Sequence, residues 1–254
     1  MDLVTLTDHD SIDGAELLRR HSDFFLSEEA TCRMPGGTLV HIGVYDITER
    51  QHFEIQRRRE DLISLLVYLS ERRIFFSVNH VFSGLTGARL LEDFDWFREY
   101  FPAFETFNGQ MMPDHNRHAD RLARREGKIR LGGSDSHALR SAGCAWTEAP
   151  GARDKYEFLN QLRAGIAFPG GEHGNYFKLT RDVISIVSSM VREKPLSALL
   201  LPLALFVPMV TMATALHEIA FLRSWSSQVF GIPARLTRQE RWSPGPAAEA
   251  FQWP

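Results

Sequence analysis

His9, His41, His80 and His137, with Glu29 and Asp135, are side-chain types that bind transition-metal ions, and they recur beside short apolar runs. Thr7-Asp8-His9-Asp10 follows residues 3–6, Glu28-Glu29 follow 24–27, Asn79-His80 follow 74–78, and Asn108-Gly109 follow 104–107. Residues 129–131 lead into Gly132-Gly133-Ser134-Asp135-Ser136-His137, and His41 lies inside Leu39-Val40-His41-Ile42. A mixed imidazole and carboxylate set suits Zn, Mn or Fe better than Ca or Mg, which prefer all-oxygen shells. A carboxylate such as Glu29 can bridge two ions, and two ions ~3.5–4 Å apart can clamp both oxygens of a phosphoryl displacement. Metal-activated water, its pKa lowered to ~7, would then stand in for a protein nucleophile.

Each residue alone has a plainer reading. Asp8, Asp10 and Ser11 could cap a helix beginning near Asp13-Gly14, and His41 could be a satisfied core histidine. His21, His52, His118, His173 and His217 are read as structural. Ligand-type residues after four separate apolar runs are harder to assign to coincidence. The cluster carries the signal.

For these residues to meet, the runs must be strands of one sheet. Residues 3–6, 24–27, 38–44, 74–78, 104–107 and 129–131 read as strands. Helical patterns alternate with them: 49–73 as one long amphipathic helix, 114–126 closed by Gly127, and 154–164 stopped by Gly165. Alternating β and α segments predict a largely parallel sheet, and in a βα barrel the carboxyl ends of all strands converge on one face.

Net charge is −3 and the sequence pI is about 6.4, so no general affinity for nucleic acid or anionic lipid is implied. No basic stripe with interleaved aromatics supports a nuclease role. Two cysteines, Cys32 and Cys144, are too few for a disulfide framework and fit a reducing, cytoplasmic setting. Residues 196–216 carry no charge and match the ~20 residues of a bilayer-spanning helix, although Pro202 and Pro208 argue against a straight one. Membrane attachment through 196–216 and packing of this run on the protein are the two alternatives. The expected organisation is a catalytic domain over 1–175, an apolar helical appendage over 176–230, and a proline-rich, disordered tail over 231–254.

Thr7-Asp8-His9-Asp10-Ser11-Ile12-Asp13-Gly14 and Gly133-Ser134-Asp135-Ser136-His137-Ala138 resemble two motifs of the PHP (polymerase and histidinol phosphatase) family. Ser27-Glu28-Glu29-Ala30-Thr31 and Ser77-Val78-Asn79-His80 are similar to two motifs between them, and His41 sits where phosphatase members carry a histidine. The resemblance covers roughly residues 1–174. It implies a distorted (β/α)7 TIM-like barrel and two or three divalent ions (Mn, Zn or Fe) held by His9, Glu29, His41, His80, Asp135 and His137. Glu28 is the fallback for Glu29.

The activity implied is hydrolysis of a phosphoester, a phosphomonoester or nucleotide, by metal-activated water. Asp8, His9 and Asp135 are the expected catalytic residues, Asp8 orienting His9, and Asn108 and Asn116 are expected to line the substrate pocket. The family normally opens with a strand ending in His-x-His, and this sequence has no His-x-His. The barrel is therefore expected to be incomplete at its N-terminus and activity to be weakened. The alternative is a non-catalytic, degenerate barrel serving as a binding or membrane-tethered module.

Overall fold

The structure, a computed structural model, describes residues 3–231, so the tail expected to be disordered lies outside the described residues. After a short helix α1 (Asp13–Glu16) come strands β1 (Ser27–Arg33) and β2 (Leu39–Tyr45), helices α2 (Glu49–Arg58) and α3 (Leu62–Glu71), and β3 (Phe75–Val78). Helix α4 (Leu91–Tyr100), β4 (Ala103–Asn108), α5 (Pro113–Arg125) and β5 (Ile129–Gly133) follow. The remainder is a β6 (Ala145–Glu148) and β7 (Phe168–Gly171) ribbon around α6 (Lys155–Arg163), then α7 (Tyr176–Glu193), a 3-10 helix (Pro195–Phe206) and α8 (Val207–Gly231).

The architecture is α/β, but the sheet is open. Strands β1 to β5 lie in chain order, β1–β2 and β2–β3 antiparallel, β3–β4 and β4–β5 parallel. The expected distorted (β/α)7 TIM-like barrel, incomplete at its N-terminus, is not seen among the described residues: the sheet does not close, and it is mixed rather than largely parallel. The turn after β1 explains the reversal. Only five residues separate the strands, Gly37 takes φ 88°, and Met34 N–H donates to Thr38 C=O. A connection that short can make only an antiparallel pair, because a parallel crossover needs a dozen residues or more.

The run at residues 3–6 is not a full strand. It lies parallel beside the segment leading into β1, bridged at Val4–Phe24 and again at His9–Glu29. The single helix expected over 49–73 is two. Asp61 accepts from the N–H groups of Ile63 and Ser64 and starts α3 afresh, while Thr48 and Gln51 cap α2 reciprocally. The β6–β7 ribbon and α4 were not expected. Thr147 Oγ1 fastens the ribbon to β5, accepting from Gly132 N–H and donating to its C=O.

The core beneath the sheet is rich in phenylalanine, with Phe76, Phe82, Phe94, Phe97, Phe101 and Phe104 fully buried. Helix α8 belongs to it. Val207, Thr211, Ala215, Glu218, Leu222 and Val229 are buried and recur at three- or four-residue spacings or their sum, which puts them on one face. Leu222 and Val229 join the main core cluster, and Trp225 packs on Phe94 with ring centroids 5.5 Å apart. Pro208 falls in the first turn of α8, where its missing N–H breaks no helical bond.

The span Leu201–Gly231 is long and apolar enough to cross a bilayer. One face of α8 is nevertheless committed to protein, while Leu196, Leu199 and Leu205 in the preceding 3-10 helix are 84, 81 and 83% exposed. Leu222→Ala should therefore lower the unfolding free energy by about 2–5 kcal/mol. Met209→Ala, at an exposed position, should change it by less than about 0.5 kcal/mol. Urea unfolding of the two variants checks both; equal small effects would mean that α8 is not docked.

Candidate metal centre

The direction of each strand decides where its polar residue lands. β2 runs against its neighbours, so its beginning, not its end, lies at the carboxyl end of β3. His41, third in β2, thereby meets the residues after β3, and Asn79 N–H donates to His41 C=O at 3.0 Å. Alternation along β1 sends Glu29 to the His9 side and Glu28 to the other. Glu28, fully buried, accepts from His52 at 2.8 Å and Gln56 at 2.7 Å, which gives His52 its structural role.

Glu29 is the centre of the cluster. Its Oε2 lies 3.4 Å from His9 Nδ1, and its Oε1 lies 3.5 Å from His41 Nδ1 and 3.4 Å from His80 Nε2. His41 Nδ1 and His80 Nε2 are 3.0 Å apart, and Asn79 Nδ2 donates to Glu29 Oε1 at 2.9 Å. Ligand atoms of His9, Glu29 and His41 all fall within 4.8 Å of one another. The carboxylate thus divides its oxygens between His9 on one side and the His41–His80 pair on the other, an arrangement suited to bridging. Nitrogen donors around carboxylate oxygen match the preferences of Zn, Mn or Fe. The residues fit the cation that the sequence led us to expect.

Electrostatics follow from this packing. Burial alone would raise the Glu29 carboxyl, but hydrogen bonding and charge from His41 and His80 outweigh it and hold it well below the ordinary range. Burial would lower the His80 imidazole, yet Glu29, then Glu105 and Asp135, push it up to about 9. Glu105, buried in β4, is itself pushed up to about 7, by burial first and by Asp135 and Glu29 in part.

Two residues of the cluster have left-handed backbones, His80 with φ 29° and Asp135 with φ 46°. Such conformations persist where the surroundings over-determine them. Here Glu105 Oε2 accepts from His80 N–H at 2.9 Å, and Asn108 Nδ2 lies 3.0 Å from both Glu105 Oε2 and Asp135 Oδ2. His137 stands on the solvent side, its ring centroid 6.2 Å from that of His9 and its Nδ1 3.8 Å from Asp135 Oδ1.

The structure brings His9, Glu29, His41 and His80 together, with Asp135 and His137 alongside. Asp8 has a different place from the one expected: its exposed carboxylate lies over Gly14, and its carbonyl accepts from Glu29 N–H at 3.1 Å. Among the described residues no hydrogen bond joins its side chain to His9. Asn108 and Asn116, expected to line a substrate pocket, are buried and spend their amides inside the protein. Asn116 Oδ1 accepts from Asn108 N–H and its Nδ2 donates to Asn108 C=O, each at 3.0 Å. Glu105 and Asn79 are the residues that sequence reasoning left without a role. An acid inside the apolar run Ala103–Phe104–Glu105–Thr106–Phe107 was the available signal for the first.

Residues 113–166 match the family model described as PHP-associated, a stretch holding α5, β5, β6, α6 and the Ser134–His137 segment. None of the curated proteins matches the chain. Among solved structures, PsfC from Pseudomonas syringae aligns with TM-score 0.47 at 18% identity, over 65% of this chain and 80% of that one. A Bifidobacterium adolescentis protein, provisionally described as a metal-dependent phosphoesterase, aligns with TM-score 0.41 at 12% identity, over 64% and 86%. The family match supports a PHP assignment.

His80 must lose a proton before Nε2 can bind a cation. With its value near 9 in the metal-free protein, binding at pH 7.5 should release about one proton, and Glu29, already ionised, should release none. Affinity should climb with pH and level off above about 9. Calorimetry of Zn2+ binding in buffers of different ionisation enthalpy measures the release; a value near zero would remove His80 from the donor set.

Proposed function

We propose that the Glu29 cluster is a metal-dependent phosphoesterase site acting on a phosphomonoester or nucleotide. The observation that carries this reading is the division of the Glu29 oxygens between His9 and the His41–His80 pair. His9, Glu29, His41, His80, Asp135 and His137 would hold two or three divalent ions (Mn, Zn or Fe). When bound, such ions supply Lewis acidity toward a phosphoryl group and lower the pKa of water to ~7.

The chain's own residues set the rest. His9 and His137, with side chains 46 and 54% exposed, form the face open to substrate, whereas His80 and Glu29 form the buried floor. Glu105 and Asn108 fix that floor by gripping the His80 backbone and the Asp135 carboxylate. Asp8 acts through its backbone, pinning Glu29 in the strand. A buried, pre-set donor array needs no rearrangement when charge develops on the substrate.

The competing reading is a binding module without turnover. In the full chain supplied with Mn2+, hydrolysis of a generic phosphomonoester should fall at least about 100-fold in His80→Ala and Asp135→Ala, with the fold retained. His21→Ala, at an exposed residue outside the cluster, should match the parent. Parent-level activity in both site variants would sink the phosphoesterase reading. Purified protein that carries no stoichiometric transition metal and hydrolyses nothing would favour the module.

The exposed side of residues 195–216 carries a second reading. Leu196, Leu199, Leu203, Leu205 and Met209 stand out from it, and no charged residue interrupts the stretch between Lys194 and Glu218. A contiguous apolar surface of this kind suits in-plane seating on a lipid surface, with the other face of α8 kept on the protein. Neutral phosphatidylcholine vesicles should pull the protein down in sedimentation. Leu199→Asp with Leu205→Asp should abolish that; unchanged binding by the double variant would refute lipid docking here.

A further inference from the structure

Beside His80 lies a small cavity of about 10 Å³, lined among others by His80, Glu105, Asn108, His115 and Asn116. That volume is about one water molecule. Two of the residues lining it each have a buried ring nitrogen, His80 Nδ1 and His115 Nδ1, that makes no hydrogen bond among the described residues. Their surroundings give them opposite polarity.

His115 sits in the first turn of α5, and its Nε2 is 3.2 Å from the backbone carbonyl of Glu218 in α8. A carbonyl only accepts, so Nε2 carries the hydrogen. Burial, foremost, keeps the ring neutral by lowering its pKa. His115 Nδ1 is therefore a bare acceptor. His80 is the reverse: its Nε2 is aimed at Glu29 and His41, and lending that nitrogen's lone pair to a cation leaves the hydrogen on Nδ1. A donor and an acceptor thus belong to two residues that line one void of about one water's volume.

We infer that His115 is a positioning residue for His80, acting through a single buried water that accepts from His80 Nδ1–H and donates to His115 Nδ1. The inference rests on the metal-site reading above. The Glu105 carboxylate, also lining the cavity, offers an acceptor for the water's second hydrogen, which brings its bonds to the three or so usual for a buried water. His115 is in turn fixed by α8, because Glu218 also takes the Gly84 N–H at 2.9 Å through its carboxylate. The donor histidine in the sheet is thereby tied to the C-terminal helix through a chain of hydrogen bonds.

Partners that orient a ligating imidazole are worth ~10–100-fold in metal affinity when removed. In the full chain, His115→Phe should weaken Zn2+ binding by that factor. His115→Asn, which places an acceptor where Nδ1 stood, should recover most of it. Nitrogen-15 NMR of the zinc-loaded parent provides a second measurement that needs no variant. It should show the hydrogen on Nε2 of His115 and on Nδ1 of His80. A His115 protonated at Nδ1, or His115→Phe folded and binding Zn2+ like the parent, overturns the inference while leaving the metal centre intact. A parent that binds no Zn2+ overturns the metal-site reading and this inference with it.

Discussion

A carboxylate taken out of water must find donors or positive charge, and Glu29 does so inside a sheet that offers few of either. It is 6% exposed and depends on His9, His41, His80 and the Asn79 amide, which come from three places in the chain. Each of those three arrives by a different route. His9 comes in as an irregular strand beside β1, His41 from the start of an antiparallel strand, and Asn79-His80 from the end of β3. If one element shifted by a residue, Glu29 would be left with an unpaired charge or would give way to Glu28. The register of the sheet and the composition of the cluster are therefore one constraint.

A ring of fixed groups surrounds that centre. Glu105 lies too deep to face substrate, yet its carboxylate joins the strained backbone of His80 to Asn108, and Asn108 joins it to Asp135. Asn116 holds Asn108 from α5, and His173 stacks on Phe107 with ring centroids 4.4 Å apart while meeting Asn116 at 2.9 Å. Polar groups this well satisfied in a low-dielectric setting are rigid, and rigidity keeps two uncommon backbone conformations occupied.

Much of this could be read from the chain alone, and the failures have physical causes. Strand positions were legible because β-branched and aromatic runs end in polar residues: the expected 104–107 became β4 (Ala103–Asn108) and 129–131 became β5 (Ile129–Gly133). Strand direction was not, since hydrophobic patterning is the same read either way. The clue lay in Pro35-Gly36-Gly37, a hairpin signal that rules out a crossover between Glu29 and His41. The helix break at Asp61 was hidden because apolar spacing continues across it, and only the capping side chain marks it. The β6–β7 ribbon was missed because Pro169-Gly170-Gly171 reads as loop; its pairing comes from the neighbouring strand rather than from propensity. For the cluster, residue types at strand ends pointed to histidines that the fold brings together, but roles inside the protein, such as those of Glu105 and Asn108, emerge only once side chains touch.

The tight turn between β1 and β2 has a kinetic side. Glu29 and His41 are only twelve positions apart and sit diagonally across one hairpin, so bringing them together closes a short loop and costs little chain entropy. His80 and Asp135, by contrast, arrive only after helices and longer connections are in place. A nascent chain could therefore present two of the six proposed cation-binding groups early, with hairpins of this kind forming in ~1–10 μs. An ion captured at that stage would act as a template on which the later strands align.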